Sequence, residues 1–148
     1  MPVQPEKRSG DPQVRIAAKE HPVVSLSAGR ITVEATVVRA GGDLCIVLTG
    51  GDRPHIGTVT LSVPRPSLAD SARTSATTSI LNCTGHKDGE AAQYLGQRLA
   101  ATLGATVVVT GVIHVDDIRP DEIKTVLHLV DRLTTTLVDL LTAARKTP

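Results

Sequence analysis

Residues 77–90 read Thr-Thr-Ser-Ile-Leu-Asn-Cys-Thr-Gly-His-Lys-Asp-Gly-Glu. This stretch starts with the pattern of a strand and finishes with that of a helix start, and a polar hinge, Thr84-Gly85-His86-Lys87, lies between them. Backbone N–H groups at a helix start have no partners within the helix, and the helix dipole favours negative charge there. The stretch therefore predicts an anion cradle, with charge from Lys87 and a candidate metal ligand in His86. The alternative is a tight turn with a solvated lysine and histidine.

Apolar patterns on both sides of this stretch predict the remaining elements. Alternation predicts a half-buried strand at 31–39, and a continuous apolar run predicts a central strand at 44–49. Similar patterns predict strands at 55–63, 75–83 and 106–115, one or two more within 13–27, and helices at 88–103 and from about 117 to 145. The fold class is therefore α+β: an antiparallel meander followed by strand–helix–strand–helix, with the helices on one face. The connection between the last two strands is long enough for a crossover, so we expect them to be parallel neighbours.

Length and composition limit the classes of function. The 148 residues suit one domain at 13–148, after a polar segment at 1–12 that we predict to be a disordered leader. The net charge of +1 gives no basic surface for nucleic acid. We expect a cytoplasmic protein without membrane association, because the chain lacks a membrane-spanning run and a signal-peptide pattern. Cys45 and Cys83 fall in predicted strands and are interpreted as reduced core thiols. Tyr94 is the only Phe, Tyr or Trp, so a ligand site cannot depend on ring stacking.

Three histidines are predicted to meet at one edge of the sheet. His55 begins a strand, His86 follows the next strand, and His114 ends the last one. Asp116 comes two residues later and so lies on the same face as His114 if the strand continues. Imidazoles with a carboxylate suit a divalent metal such as Mn, Fe or Zn. The alternative is a polar edge with unligated histidines.

Basic residues near this edge suggest an anionic ligand. Arg53 and Lys87 would favour a phosphate ester. Arg65 and Ser67 have the same chemistry, but the predicted meander places them at the opposite edge. They would reach the site only if the loop to Arg73 folds back, or if a second subunit supplies them.

Four separated motifs resemble one family, the LpdD-like prenylated-flavin chaperones found with gallate-type decarboxylases of the UbiD family. The resemblance covers roughly residues 33–133 and rests on Gly51-Asp-Arg-Pro-His-Ile-Gly57, Val63-Pro-Arg-Pro-Ser67, Ser79 through Thr84-Gly-His-Lys-Asp88, and His114-Val-Asp116 followed by Ile118 and Glu122-Ile123. It implies a fold similar to proteasome assembly chaperones, which tend to be dimers. It also implies that the cargo is prenylated FMN, which a flavin prenyltransferase makes and UbiD-type decarboxylases use.

With this resemblance, the candidate site residues fall into two groups. Those assigned to the cofactor are Arg53, Arg65, Ser67, Ser79, Thr84, Gly85 and Lys87. Those assigned to a metal are His55, His86, His114 and Asp116. We expect no catalytic residue, a homodimer, and partnership with a UbiD-type decarboxylase and its flavin prenyltransferase.

Three functions remain open at this stage. The first is a non-catalytic carrier of prenylated FMN that helps a decarboxylase to mature. The second is a metal-dependent enzyme acting on a phosphorylated substrate, with Asp116 or Glu122 as base. The third is a structural subunit of a decarboxylase complex, which would co-purify stably and bind no small molecule.

Overall fold

Six strands form one sheet, and two helices pack on it. The computed structural model describes residues 21–83 and 89–146. The elements in chain order are β1 (Val23–Ala28), β2 (Ile31–Ala40), β3 (Asp43–Gly51), β4 (Thr58–Pro66), β5 (Thr74–Asn82), α1 (Gly89–Leu103), β6 (Val107–His114) and α2 (Pro120–Lys146). The predicted α+β class and order of elements are confirmed. The predicted leader and the hinge at 84–88 lie outside the described residues.

The strand order in the sheet is β1-β2-β3-β6-β4-β5. Strand β6 lies between β3 and β4, parallel to the first and antiparallel to the second. Strands β5 and β6 therefore run parallel, as expected, but the expectation that they are neighbours is wrong. The reason lies in their composition: β6 is almost continuously apolar and suits a central position, whereas β5 is rich in Ser and Thr and forms an edge.

The main core lies between the helices and one face of the sheet. Helix α1 packs on β4, β5 and β6, and α2 packs on β1 and β2. Alternating side chains of the strands meet the leucines of the helices and are fully buried, among them Val33, Ile46, Val109, Leu99 and Leu133. Within the described residues, neither helix covers the other face of the sheet.

Glycine permits the close approach of β3 and β6. Gly111 has a φ of +131°, and a Cβ atom there would lie 1.8 Å from the carbonyl oxygen of Leu48. Only glycine fits this position without moving the backbone. The central parallel pair therefore depends on the absence of a side chain at Gly111.

Helix α2 has charges suited to its dipole. Its first turn contains Pro120, Asp121 and Glu122, and its last turn contains Arg145 and Lys146. The described helices include none that is long and apolar enough to cross a membrane.

Both cysteines are free thiols. Cys45 is half-buried, whereas Cys83 is exposed. The expectation of a core thiol is wrong for Cys83, because β5 ends at Asn82 and the following residue lies at the sheet edge.

Candidate functional site

The ends of β3 and β6 bring two of the predicted histidines together. Gly51 pairs with His114, and its φ of +77° lets it approach so closely that a Cβ would lie 2.0 Å from the His114 carbonyl oxygen. The backbone N–H of Asp52 donates to that same oxygen at 2.7 Å. Beyond this turn, the ring of His55 lies 5.7 Å from that of His114 between centroids. The convergence predicted for these two residues is thus observed.

Asp116 joins this pair, as the sequence suggested. Its Oδ1 lies 3.2 Å from Nε2 of His114 and 3.1 Å from Nε of Arg53. The backbone N–H of Asp116 donates to Oδ2 of Asp52 at 2.8 Å. One carboxylate is therefore shared between an imidazole and a guanidinium group. We call Arg53, His55, His114 and Asp116 the histidine edge.

The tautomer of His55 follows from its neighbour. Nδ1 of His55 lies 2.6 Å from the carbonyl oxygen of Arg53, which can only accept a hydrogen bond. Nδ1 therefore carries the proton, and in the neutral ring the lone pair is on Nε2. That nitrogen is the one with which His55 could bind a metal.

A second charged cluster, which the sequence did not predict, supports this edge. Nε and Nη2 of Arg30 donate to the two carboxylate oxygens of Glu122 at 2.8 and 2.9 Å. Nη2 also donates to the backbone oxygen of Asp116 at 2.9 Å. Arg30 and the backbone N–H of Arg119, which donates at 3.0 Å, lower the pKa of Glu122 to about 2. Glu122 is thus an ionised structural group with both oxygens engaged, an arrangement unsuited to the role of base considered above.

An apolar pocket opens between α1, α2 and β6, at the end of β6 that carries His114. Its volume is about 300 Å³. The lining is mainly aliphatic and comes from these three elements, from one residue each of β3 and β4, and from the loop before α2: Leu48, Thr58, Glu90, Ala91, Ala92, Gly111, Val112, Ile113, Ile118, Ile123, Val126 and Leu127. We call this the aliphatic pocket. An adjoining groove of about 310 Å³ shares Glu90, Ala91 and Leu127 with it and extends to Tyr94.

Sequence reasoning did not find this pocket. The helical spacing of Ile123 and Leu127 predicts core packing or a dimer seam. They are 47% and 58% exposed, so they are not core residues, and the dimer seam stays a prediction. The available signal was Ile118, an isoleucine just before the helix in an otherwise polar segment.

The other predicted cofactor residues are dispersed. Arg65 lies at the far end of β4 and donates to Oγ1 of Thr77 at 2.6 Å. Ser67 follows it there, so both are at the opposite end of the sheet, as expected. Ser79 is exposed in the middle of β5. Thr84, Gly85, His86 and Lys87 lie outside the described residues, and the anion cradle stays a prediction.

The described residues alone do not fit a metal. Within residues 21–83 and 89–146, no group of three or more His, Cys, Asp or Glu side chains is arranged to hold an ion. His114 and Asp116 could supply two ligands, but the guanidinium group of Arg53 lies on the same carboxylate. A complete site would need His86 and a displaced Arg53.

The fold and these features define a small α+β domain with a charged edge next to an aliphatic pocket. The family model described as prenylated flavin chaperone LpdD-like domain matches residues 27–142, so this chain belongs to that family, and the resemblance is confirmed. Protein LpdD of Lactiplantibacillus plantarum is 27% identical over 111 residues, which are 75% of this chain and 78% of that protein.

The structure is also similar to a chain in a chaperone complex for yeast 20S proteasome assembly. The TM-score is 0.47 and the sequence identity is 15%, over 84% of this chain and 95% of that chain.

Proposed function

We propose that this protein is a prenylated-FMN-binding chaperone that delivers the cofactor to a UbiD-type decarboxylase, or helps that enzyme to mature. The observation that carries the proposal is the position of a charged edge beside an aliphatic pocket in a chain of the LpdD-like family. Prenylated FMN has matching parts, a phosphate and a ring system enlarged by hydrocarbon. A chaperone role for the flavin follows from the family, and delivery is the step that we add.

The charged edge would hold the phosphate. The side chain of Arg53 is 69% exposed and offers a fork of donors suited to phosphate oxygens. Lys87 and the backbone of Gly85 would add donors from the hinge that follows β5. The arrangement provides contact without enclosure, which suits a protein that must release its cargo.

A divalent metal is the next part of the proposal. It would be held by His114, Asp116 and Nε2 of His55, with His86 as a further ligand, and it would supply positive charge to the phosphate. The test is the metal content of the protein purified after growth with Mn, Fe or Zn. His86→Ala and His114→Ala should lower it, whereas His128→Ala, exposed on α2, should not. Equal metal content in the wild type and all three variants would contradict the proposed metal site.

The uncovered face of the sheet supports the proposal of a homodimer. Parallel strands are usually covered on both faces, yet within the described residues the central pair β3–β6 is covered by helices on only one. The other face carries Val47, Leu61 and Val108 at its centre, and Leu61 is 42% exposed. The area of such a face is on the order of 700 Å² from strand spacing and length. That value is close to the roughly 800 Å² per partner in a standard interface.

A second copy is the partner that we favour for this face. Apart from Glu34 on β2, Asp43 on β3 and Arg65 on β4, its strand residues are uncharged. Two such faces could meet with little like-charge repulsion, as a two-fold dimer requires.

The function is tested by expressing the protein with and without a flavin prenyltransferase and purifying it without oxygen. The proposal predicts a flavin absorbance spectrum only in the co-expressed sample, and release of prenylated FMN on denaturation. A colourless protein in both cases would contradict it. Stable co-purification of that colourless protein with a decarboxylase would support the structural-subunit alternative.

A further inference from the structure

The aliphatic pocket has a composition that restricts what can bind there. Among the lining side chains that belong to the described residues, only those of Thr58 and Glu90 carry polar groups. The hydroxyl of Thr58 already donates within the sheet, to Oδ1 of Asn82 at 2.8 Å. The pocket therefore offers little to the polar edge of a flavin ring and much to hydrocarbon.

The exposure of the pocket's rim indicates that a ligand covers it. Leu127 and Ile123 are 58% and 47% exposed on the first turns of α2, and Ile118 stands before that helix. Large exposed aliphatic side chains grouped around a cavity are typical of a binding site. An apolar cavity of about 150 Å³ holds a benzene molecule. A cavity of about 300 Å³ therefore has room for a branched five-carbon group together with part of the ring that bears it.

The surroundings of the pocket fix the direction in which such a ligand would lie. Ile113 and Ile118 of the lining lie on either side of His114 and Asp116 in the chain, so the pocket is at the same end of β6 as the histidine edge, with Ile113 and His114 on opposite faces of that strand. The carboxylate of Glu90 on the pocket wall would repel a phosphate. Hydrocarbon would therefore enter the pocket while the phosphate stays outside, towards Arg53.

We propose that the aliphatic pocket binds the prenyl-derived hydrocarbon of the cofactor and so distinguishes prenylated FMN from unmodified FMN. This inference rests on the proposed function and adds the part of the molecule that recognises the modification. Prenylated FMN differs from FMN by its prenyl-derived carbons. The selectivity therefore comes from the burial of the apolar surface of those carbons. The histidine edge contributes equally to both flavins through the phosphate.

The test compares the binding of reduced prenylated FMN and reduced FMN to the full chain, by anaerobic titration. Wild type should bind the prenylated form at least about tenfold more tightly. Leu127→Glu and Ile123→Glu place a charge at the rim and should remove most of that preference, because they weaken the binding of the prenylated form more than that of FMN. Leu140→Glu is the matched control, since Leu140 is an exposed leucine on the same helix that does not line the pocket. It should bind as wild type does.

The possible outcomes distinguish a failure of this inference from a failure of the proposed function. If wild type prefers the prenylated form and both rim variants keep that preference, the pocket is not the recognition site and the carrier function stands. If wild type binds both flavins equally, the selectivity proposal is overturned. If wild type binds neither, the proposed function fails and this inference fails with it. Circular dichroism of the three variants shows whether each is folded. Because there are two rim variants at separate positions, the test remains possible if one of them does not fold.

Discussion

Nε of Arg30 lies 2.8 Å from Oε1 of Glu122, although the two residues are 92 positions apart in the chain. Arg30 occupies the turn between β1 and β2, and Glu122 is in the first turn of α2. Through its further bond to the backbone of Asp116, Arg30 also connects to the histidine edge. This pair therefore holds the start of α2, which carries one rim of the aliphatic pocket, against the sheet.

Replacement of Glu122 by Gln should lower the melting temperature in a manner that depends on pH. Arg30, together with the backbone N–H of Arg119, lowers the pKa of Glu122 from 4.5 to about 2, so the carboxylate is favoured in the folded state. Its contribution to stability is fully present above about pH 4.5 and is lost as the pH falls towards 2. The difference in melting temperature between wild type and E122Q should be largest near pH 7 and shrink below pH 4.

Asp139→Asn, at an exposed position further along the same helix, is the control for that experiment. The difference in melting temperature between wild type and D139N should not shrink in this way below pH 4. A wild-type to E122Q difference that is constant from pH 7 to pH 3 would show that the ion pair does not account for the effect.

Gly111→Ala should destabilise the fold strongly. The new Cβ would lie 1.8 Å from the carbonyl oxygen of Leu48, and the φ of +131° is strained for alanine. We expect a loss of at least about 3 kcal/mol, or failure to fold, measured by urea denaturation. Gly42→Ala meets nothing within 4 Å and should change stability by roughly 1 kcal/mol or less. Similar stabilities for the two variants would contradict the observed packing of β3 on β6.

Arg53→Ala should reduce the contribution of the phosphate to binding. A charge-assisted hydrogen bond contributes about 1.5–3 kcal/mol, which corresponds to roughly tenfold or more in affinity. The measurement is the ratio of the affinities for FMN and riboflavin, which differ by the phosphate, in wild type and variant. The ratio should fall towards one in R53A.

Arg65→Ala tests whether a second subunit supplies part of the phosphate site. Arg65 lies at the opposite end of β4 from the histidine edge, so within one chain it should not affect the FMN-to-riboflavin ratio. A ratio that falls in R65A as far as in R53A would mean that a second subunit brings Arg65 to the site. An unchanged ratio of the FMN and riboflavin affinities in R53A would show that the histidine edge does not bind the phosphate.

Leu61→Glu should convert the proposed dimer to a monomer. It places a charge at the centre of the uncovered sheet face, and desolvating an unpaired charge there is costly. Leu68→Glu is the control, because Leu68 is 92% exposed after β4. Sedimentation equilibrium should show a dimer for wild type and L68E and a monomer for L61E. A monomeric wild type would contradict the dimer.

Local sequence patterns predicted the helices and strands of this fold well. They predicted less well which strands pair with each other. Alternation located β2, and the apolar run located β3, because these patterns depend on which side chains face the core. The insertion of β6 between β3 and β4 was not predicted, because the order of strands depends on pairings between distant segments. The predicted strand at 55–63 starts too early, because β4 begins only at Thr58.

The site shows the same division. The sequence predicted that His55, His114 and Asp116 would meet, because each of them lies at or near the start or the end of a predicted strand. The ends of strands can be recognised in the sequence. Arg30 was missed, since nothing near it in the chain indicates a partner in α2. The aliphatic pocket was missed because an exposed leucine at helical spacing has the same pattern as a buried one; only the packing of α1 against α2 distinguishes them.

Transfer of the cofactor tests the central claim most directly. The protein is loaded with reduced prenylated FMN without oxygen and mixed with a UbiD-type apo-decarboxylase, and the appearance of decarboxylase activity is compared with that produced by the same concentration of free cofactor. A chaperone should give faster or more complete activation, and L127E should lose this advantage. Identical activation with and without the protein would contradict the account.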